Sequence, residues 1–380
     1  MSGPKIRRAA ELAEQWVREG VAQTLVVLVA RHGRVVLDQA FGHLTPAADS
    51  PLTPLDALFD TQSLSKVFTA AAVMMLVEEG KVGLNRPASD YIPEFRGKGK
   101  DAVLVRHLLT HTSGLFTEDL EKYGKEHKGK VAIPAPEETV HPLLSEYFAE
   151  RYECPLWKPA GTEMSYCSFG MDLLAEIIRR ASGVSLDQFS RERIFQPLGM
   201  KNTSWSWSGL PAERRVRRPP DPKVDSDPLE MARVTEGLCF GSGGALSTAR
   251  DAAIFAQTFL NGGTYGGERI LSPATVAVMT RNQIPGIGSV FGNQAFPEAM
   301  WGLGWSLHGS KTGECGSLYS AESFEHWGSG GVYFWADPRY QIVGVYFSSA
   351  PSAEDFALSF EKYWRSDIFM DVVTSAVEES

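Results

Sequence analysis

The run from Val67 to Val77, VFTAAAVMMLV, constrains this chain more than any other stretch, because it holds no charged residue on any helical face. Such a run predicts a helix buried on all sides, at the middle of a large fold rather than on its surface. Gly80 suits the position just past the end of that helix. At its entrance stands Ser63-Leu64-Ser65-Lys66. Ser63 and Lys66 are three residues apart, so one turn sets both side chains on one face. A serine there meets the positive end of the helix dipole, which favours a forming alkoxide. A lysine one turn on can take the hydroxyl proton when burial disfavours its charged form. The pattern points to a serine nucleophile with a lysine partner. Ser2–Lys5 and Ser359–Lys362 repeat the spacing, but neither has a buried helix behind it.

A chain of 380 residues can bury a large core. Its formal net charge of -9 argues against nucleic acid or an anionic membrane as a partner. The basic cluster Arg214-Arg215-Val216-Arg217-Arg218 is short and reads as a solvated loop. The Val67–Val77 run is too short to span a bilayer. The first twenty residues alternate charge with Ala, Leu, Trp and Val at helical spacing, in place of the apolar core of a secretory signal. Cys154, Cys167, Cys239 and Cys315 form no C-x-x-C and read as reduced thiols. The expectation is a cytoplasmic protein with no metal and no cofactor. His107 and His111 stand i, i+4, but no carboxylate or thiol is suitably spaced beside them, so they read as packing or capping residues.

Residues 5–20 read as an amphipathic helix, and Thr24–Ala30 and Arg34–Gly42 as a hairpin turning at His32-Gly33. Residues 85–234 read as mostly helical, with an amphipathic helix over 168–180, a second over 185–194, and a charged loop over 118–138 that suits a lid. After Gly241–Thr248 comes a helix over 249–260. Strands follow over 301–307, 325–336 and 341–349, and a helix over 353–377 closes the chain. Strands at both ends with helices between them predict an α+β fold: an antiparallel sheet built from both chain ends, flanked by helices, with an inserted helical region. On this division residues 1–60 and 236–380 give the sheet region and 61–235 the helical region.

Besides Ser63-Leu64-Ser65-Lys66, the chain holds HLLTHTSGL, KPAGTEMSYCSFGMDLLAEIIRRASG, IFQPLGMKNTSW, GSGGALSTARD and FEHWGSGG, in that order. In these stretches it resembles the serine β-lactamase and penicillin-binding superfamily, most closely class C β-lactamase-like hydrolases and family VIII carboxylesterases, over about residues 20–350. The resemblance implies Ser63 as the acylated nucleophile, Lys66 as its activating partner and Tyr166 as the tyrosine of the Y-x-N box. It implies His326-Trp327-Gly328 as the K-T-G or H-x-G box on the strand edging the site. The backbone amides of Ser63 and Ser329 would form the oxyanion hole. A literal Lys311-Thr312-Gly313 lies in turn-forming sequence and is set aside in favour of His326.

Two departures from the family pattern stand out. Ser168 replaces the asparagine that grips a substrate amide, and His326 replaces a permanent cation that holds a substrate carboxylate. Both weaken peptide and β-lactam recognition and leave acylation intact. No G-x-S-x-G occurs, which argues against an α/β-hydrolase. The expectation is a serine hydrolase acting through an acyl-enzyme on small esters. The alternatives are an acyltransferase using the same intermediate, a β-lactamase or D-Ala-D-Ala peptidase, and, last, a silent scaffold. The partner is a small ester or acyl substrate, with Trp327, Gly328 and Ser168 beside it. Loops 116–150, 205–235 and 283–300 would line the pocket.

Overall fold

The structure is a computed structural model that describes residues 1–133, 140–218, 238–291, 294–309, 316–349 and 365–378. Helix α1 (Gly3–Arg18) leads into strands β1 (Thr24–Arg31) and β2 (Arg34–Gly42). His32 and Gly33 between them have left-handed φ values of 49° and 70°, the turn whose twist matches paired strands. Near the other end come β10 (Ser306–Leu307), β11 (Phe324–Gly328), β12 (Val332–Asp337) and β13 (Ile342–Ser349). These six strands form one antiparallel sheet in the order β10-β11-β12-β13-β1-β2. The first strand of the chain pairs with the last, from Thr24 opposite Ser349 to Arg31 opposite Ile342.

Both faces of this sheet are covered, and the two-residue period of a strand sorts its side chains between them. On one face Leu25, Val27 and Val29 meet Trp16 of α1, Trp335, Tyr346, and Phe369 and Val373 of the last helix, α10 (Ser366–Ser375). On the other, Val26, Leu28 and Ala30 meet a larger core. That core is built on α2 (Lys66–Glu78), α3 (Val105–Leu109), α4 (Thr117–His127), α5 (Pro142–Tyr152), α6 (Ser168–Ser182), α7 (Leu186–Ser190) and α8 (Ala249–Leu260). A ninth helix, α9, is Pro273–Met279. The remaining strands are short: β3 (Phe59–Asp60) pairs with β5 (Leu246–Ser247), β4 (Met164–Ser165) with β8 (Ser289–Phe291), β8 with β9 (Gln294–Phe296), and β6 (Thr264–Tyr265) with β7 (Glu268–Arg269).

Helix α2 is the centre of the molecule. Every residue from Lys66 to Leu76 is buried, and Phe68 alone meets Phe195, Trp205 and Phe255 edge-on. A fully buried Val, Leu or Phe contributes roughly 1.5–3 kcal/mol, so this helix anchors whatever stands at its N-terminus. The mixed architecture, with its antiparallel sheet drawn from both chain ends, agrees with the sequence reading.

Several elements differ from that reading. The 325–336 stretch is two strands, because Gly330 and Gly331, with φ of 91° and 106°, turn the chain back on itself. Of 301–307 only Ser306–Leu307 is strand, since Gly304 bends the segment against α2, where a Cβ would lie 2.3 Å from that of Ala70. The 118–138 stretch is not simply loop: α4 covers Thr117–His127 and buries Leu120. The Lys311-Thr312-Gly313 decoy, Cys315 and most of the final helix's expected first half lie outside the described residues. No helix among the described residues is long and apolar enough to cross a membrane.

Candidate active site

Ser63 sits not in α2 itself but in a tight 3-10 turn, Gln62–Ser65, that runs into it. The turn is tied down from both sides. The Asp60 carboxylate accepts the Gln62 amide at 3.0 Å and holds Gln62 at a left-handed φ of 47°. The Thr61 hydroxyl meets that of Ser65 at 2.8 Å and donates to the Ala245 carbonyl at 2.8 Å, and the Ala245 amide returns a bond to the Ser65 hydroxyl at 3.2 Å. These bonds fix the backbone beneath Ser63, which is half-buried.

Lys66, one turn later, is fully enclosed. Its Nζ donates to Ser63 Oγ at 2.9 Å and to the Ser242 carbonyl at 2.7 Å, and lies 4.9 Å from the centre of the Tyr166 ring. Ser242 reaches it because Gly241 slips between α2 and α6, where a Cβ would lie 2.3 Å from the Met171 carbonyl. A serine hydroxyl and a lysine amine at this separation can exchange a proton, with an aromatic ring beside them.

Tyr166 follows β4 and is pinned from below by His111. The Ser165 amide donates to the His111 carbonyl at 2.8 Å, the Cys167 amide donates to His111 Nδ1 at 3.2 Å, and the rings of His111 and Tyr166 lie 4.5 Å apart. His111 is thus a packing and capping residue. Among the described residues the Tyr166 hydroxyl is buried and makes no hydrogen bond.

His326 lies in β11, whose close approach to the Gln62–Ser65 turn requires Gly328: a Cβ there would fall 2.2 Å from the Thr61 carbonyl. Its imidazole is fully enclosed, with Nδ1 against the backbone of Trp327 and Nε2 buried without a partner among the described residues. Burial first, and then the Lys66 charge, push its pKa down to about 3, so it is neutral at pH 7. Burial and the same charge hold His111 well below the ordinary imidazole range.

Trp301 joins the group, its ring 5.1–6.1 Å from those of His111, His326, Tyr166 and Trp327. Trp301 packs with Met164, Ile284 and Ala299, so part of the 283–300 loop does stand beside Tyr166. Ser329 opens the turn after β11 and is exposed, Trp327 is half-buried, and Ser168 is half-buried at the first position of α6. The described residues hold no cluster of three metal-ligating side chains.

The structure therefore gathers Ser63, Lys66, Tyr166 and His326, and sets Trp327, Gly328, Ser329 and Ser168 on the elements that carry them. Sequence reasoning assigned nothing to Ser242, Trp301 or Asp172. Asp172 carried a legible signal: it stands three residues after Phe169 and one before Leu173, on the apolar face of a helix, where a carboxylate needs a reason.

Comparison with known proteins agrees with this architecture. The Beta-lactamase family model matches residues 11–363. A Salmonella agona (strain SL483) protein named "Putative D-alanyl-D-alanine carboxypeptidase" is 27% identical over 359 residues, covering 86% of this chain and 78% of that one. Among solved structures, EstCE1, a hydrolase with promiscuous acyltransferase activity, superposes with a TM-score of 0.78 at 21% identity over 99% of both chains. A family VIII carboxylesterase superposes with a TM-score of 0.68 at 24% identity, over 92% of this chain and 93% of that one. With the matched region running through every stretch that builds the site, this chain belongs to the Beta-lactamase family of serine hydrolases.

Proposed function

We propose that this chain is a carboxylesterase that cleaves small esters through an acyl-enzyme on Ser63. The observation that carries the reading is a half-buried Ser63 hydroxyl 2.9 Å from an enclosed Lys66 amine, beside a strand position where burial keeps an imidazole uncharged. Ser63 Oγ adds to the ester carbonyl as the Lys66 amine, in its uncharged form, takes the hydroxyl proton. The amides of Ser63 and Ser329 hold the oxyanion; one such donor is typically worth a factor of about 10²–10³. The C–O bond then breaks, and the proton goes to the departing alkoxide by way of the Tyr166 hydroxyl. Water repeats the sequence on the acyl group and restores Ser63. Trp327, Gly328 and Ser168 line the substrate.

An ester needs no more than this. A peptide or β-lactam also presents a carboxylate, and a neutral His326 offers it no charge. An alcohol in place of water would give acyl transfer from the same intermediate. The buried free thiols of Cys154, Cys167 and Cys239 favour a reducing compartment, in keeping with a cytoplasmic enzyme. The test is intact-protein mass spectrometry after exposure to p-nitrophenyl esters and to a chromogenic cephalosporin, with kcat/KM for each. The expected result is an acyl adduct on Ser63, absent in Ser63→Ala, and faster turnover of the ester. A parent that hydrolyses the cephalosporin as fast as the ester refutes the preference.

A further inference from the structure

We propose that Asp172 is a positioning residue for Lys66, acting through Ser242, with Tyr147 as its brace. The inference rests on the reading of Ser63 and Lys66 given above. Asp172 lies in the second turn of α6 and is 1% exposed. Both of its oxygens are engaged: Oδ1 accepts the Ser242 amide at 3.0 Å, and Oδ2 accepts the Tyr147 hydroxyl at 2.9 Å. Ser242 in turn offers its carbonyl to Lys66 Nζ at 2.7 Å. One residue is gripped at its amide by the carboxylate and holds the ammonium by its carbonyl.

That grip is needed because Ser242 stands between Gly241 and Gly243, in backbone with little stiffness of its own. The Thr69 hydroxyl steadies one side by donating to the Gly241 carbonyl at 2.7 Å, and Asp172 steadies Ser242 itself. Tyr147 comes from α5, packed edge-on against Phe169 and Phe240 with Arg151 over its ring, so its hydroxyl is aimed by a rigid frame.

The charge of Asp172 matters as well as its shape. Burial raises its proton affinity, while the bonds from Ser242 and Tyr147 and the Lys66 charge oppose that rise. Both oxygens accept from donors, and such hydrogen bonds favour the ionised form. Lys66 is faced by Ser63, Tyr166, His111, His326 and Asp172, and the two imidazoles are neutral. Asp172 itself is faced by Tyr147, Cys167 and Lys66. Its negative charge therefore acts on the ammonium from one residue away, without touching substrate.

The experiment measures the rate of Ser63 labelling by a fluorophosphonate against pH, with KM for a p-nitrophenyl ester, in the parent, Asp172→Asn and Tyr147→Phe. Asp172→Asn keeps the size and one acceptor and removes the charge. The expected result is a labelling rate lower by about a hundredfold, as for a displaced catalytic group, with KM within threefold of the parent. The midpoint of the acid limb should move, because the variant removes a negative charge one residue from the reacting groups. Tyr147→Phe should lower the rate about threefold to tenfold. A merely structural Asp172 would lose rate and thermal stability with no movement of the midpoint, and that outcome overturns the proposal. So does a parental rate in Asp172→Asn or, should that variant not fold, in Tyr147→Phe. A parent that is not labelled at Ser63 overturns the reading of the site and this inference together.

Discussion

The two ends of α6 are both buried and both rich in polar groups, yet they are built on opposite principles. At its C-terminal half the Glu176 carboxylate accepts Arg179 Nε and Nη2 at 2.8 Å each and Arg180 Nε at 2.5 Å, and Arg180 grips Glu94 through two nitrogens at 2.9 and 3.2 Å. Each charge there has a partner. At the N-terminal end, around Lys66, the Tyr166 hydroxyl, His326 Nε2, His111 Nε2 and Trp301 Nε1 are buried with no hydrogen bond among the described residues. A satisfied buried network rigidifies a fold, while orphaned polar atoms cost stability and are kept where they act on something else. One helix thus carries a structural clamp at one end and borders the proposed reaction site at the other.

The contrast can be broken by mutation. Tyr166→Phe should lower kcat/KM for esters by about a hundredfold or more, while the free energy of unfolding stays level or rises, since the removed hydroxyl had no partner. Cys167→Ala, its neighbour, should lose far less activity. Comparable losses in the two variants would remove the proton-carrying role of the phenol. At the other end, Glu176→Gln should cost about 3 kcal/mol of stability in urea unfolding by removing the carboxylate charge that Arg179 and Arg180 share, with kcat/KM within about twofold of the parent. A large loss of activity at full stability would show that the clamp is not separate from the site.

Smaller effects sharpen the same comparison. His326→Lys combined with Ser168→Asn should move the ratio of cephalosporin to ester turnover about tenfold toward the cephalosporin, the size of one charge-assisted bond. An unchanged ratio would mean that neither residue sets the preference. The last effect is on pH. His326 binds its proton near 3 when folded and near the ordinary 6.5 when unfolded. Between those values the unfolded chain holds the extra proton, so stability falls as pH drops through this window, by up to about 1.4 kcal/mol per unit. Burial raises the Glu94 carboxyl, but hydrogen bonds and the Arg180 and Arg179 charges outweigh it and hold the group below its ordinary 4.5, so its contribution is present above 4.5 and is lost as pH falls through its folded value. Urea titrations at pH 6 and 5 should therefore show a shallower loss in His326→Gln than in the parent, and equal slopes would contradict the buried neutral imidazole.

Much of this arrangement was legible in the sequence because it is local. The Val67–Val77 run, the His32-Gly33 turn and the alternating strands each signal themselves within a few residues. The breaks at Gly330-Gly331 and Gly304 were misread because a glycine inside an apolar run does not announce which way it bends; the approach to α2 that decides Gly304 comes from far along the chain. Helix α4 was hidden by its charge and by Gly124, although a surface helix needs only a narrow apolar stripe. At the site, the S-x-x-K spacing exposed Ser63 and Lys66. Ser242 acts through its backbone carbonyl, which no residue type advertises, and Trp301 could not be told from a core tryptophan.

The pairing of β1 with β13 has a consequence for how the protein is made. The Gln62–Ser65 turn and α2 leave the ribosome early, but the sheet face on which the inner core rests lacks β13 until the chain has grown from Arg31 to Ile342. At about 5–20 residues per second that wait is roughly fifteen to sixty seconds, during which a Val- and Leu-rich strand has an open edge ready to pair with whatever is near. Pairings so distant in sequence also close slowly when a whole chain refolds. Yield of active enzyme should therefore depend on temperature and on chaperone supply during synthesis more than the stability of the finished fold would suggest.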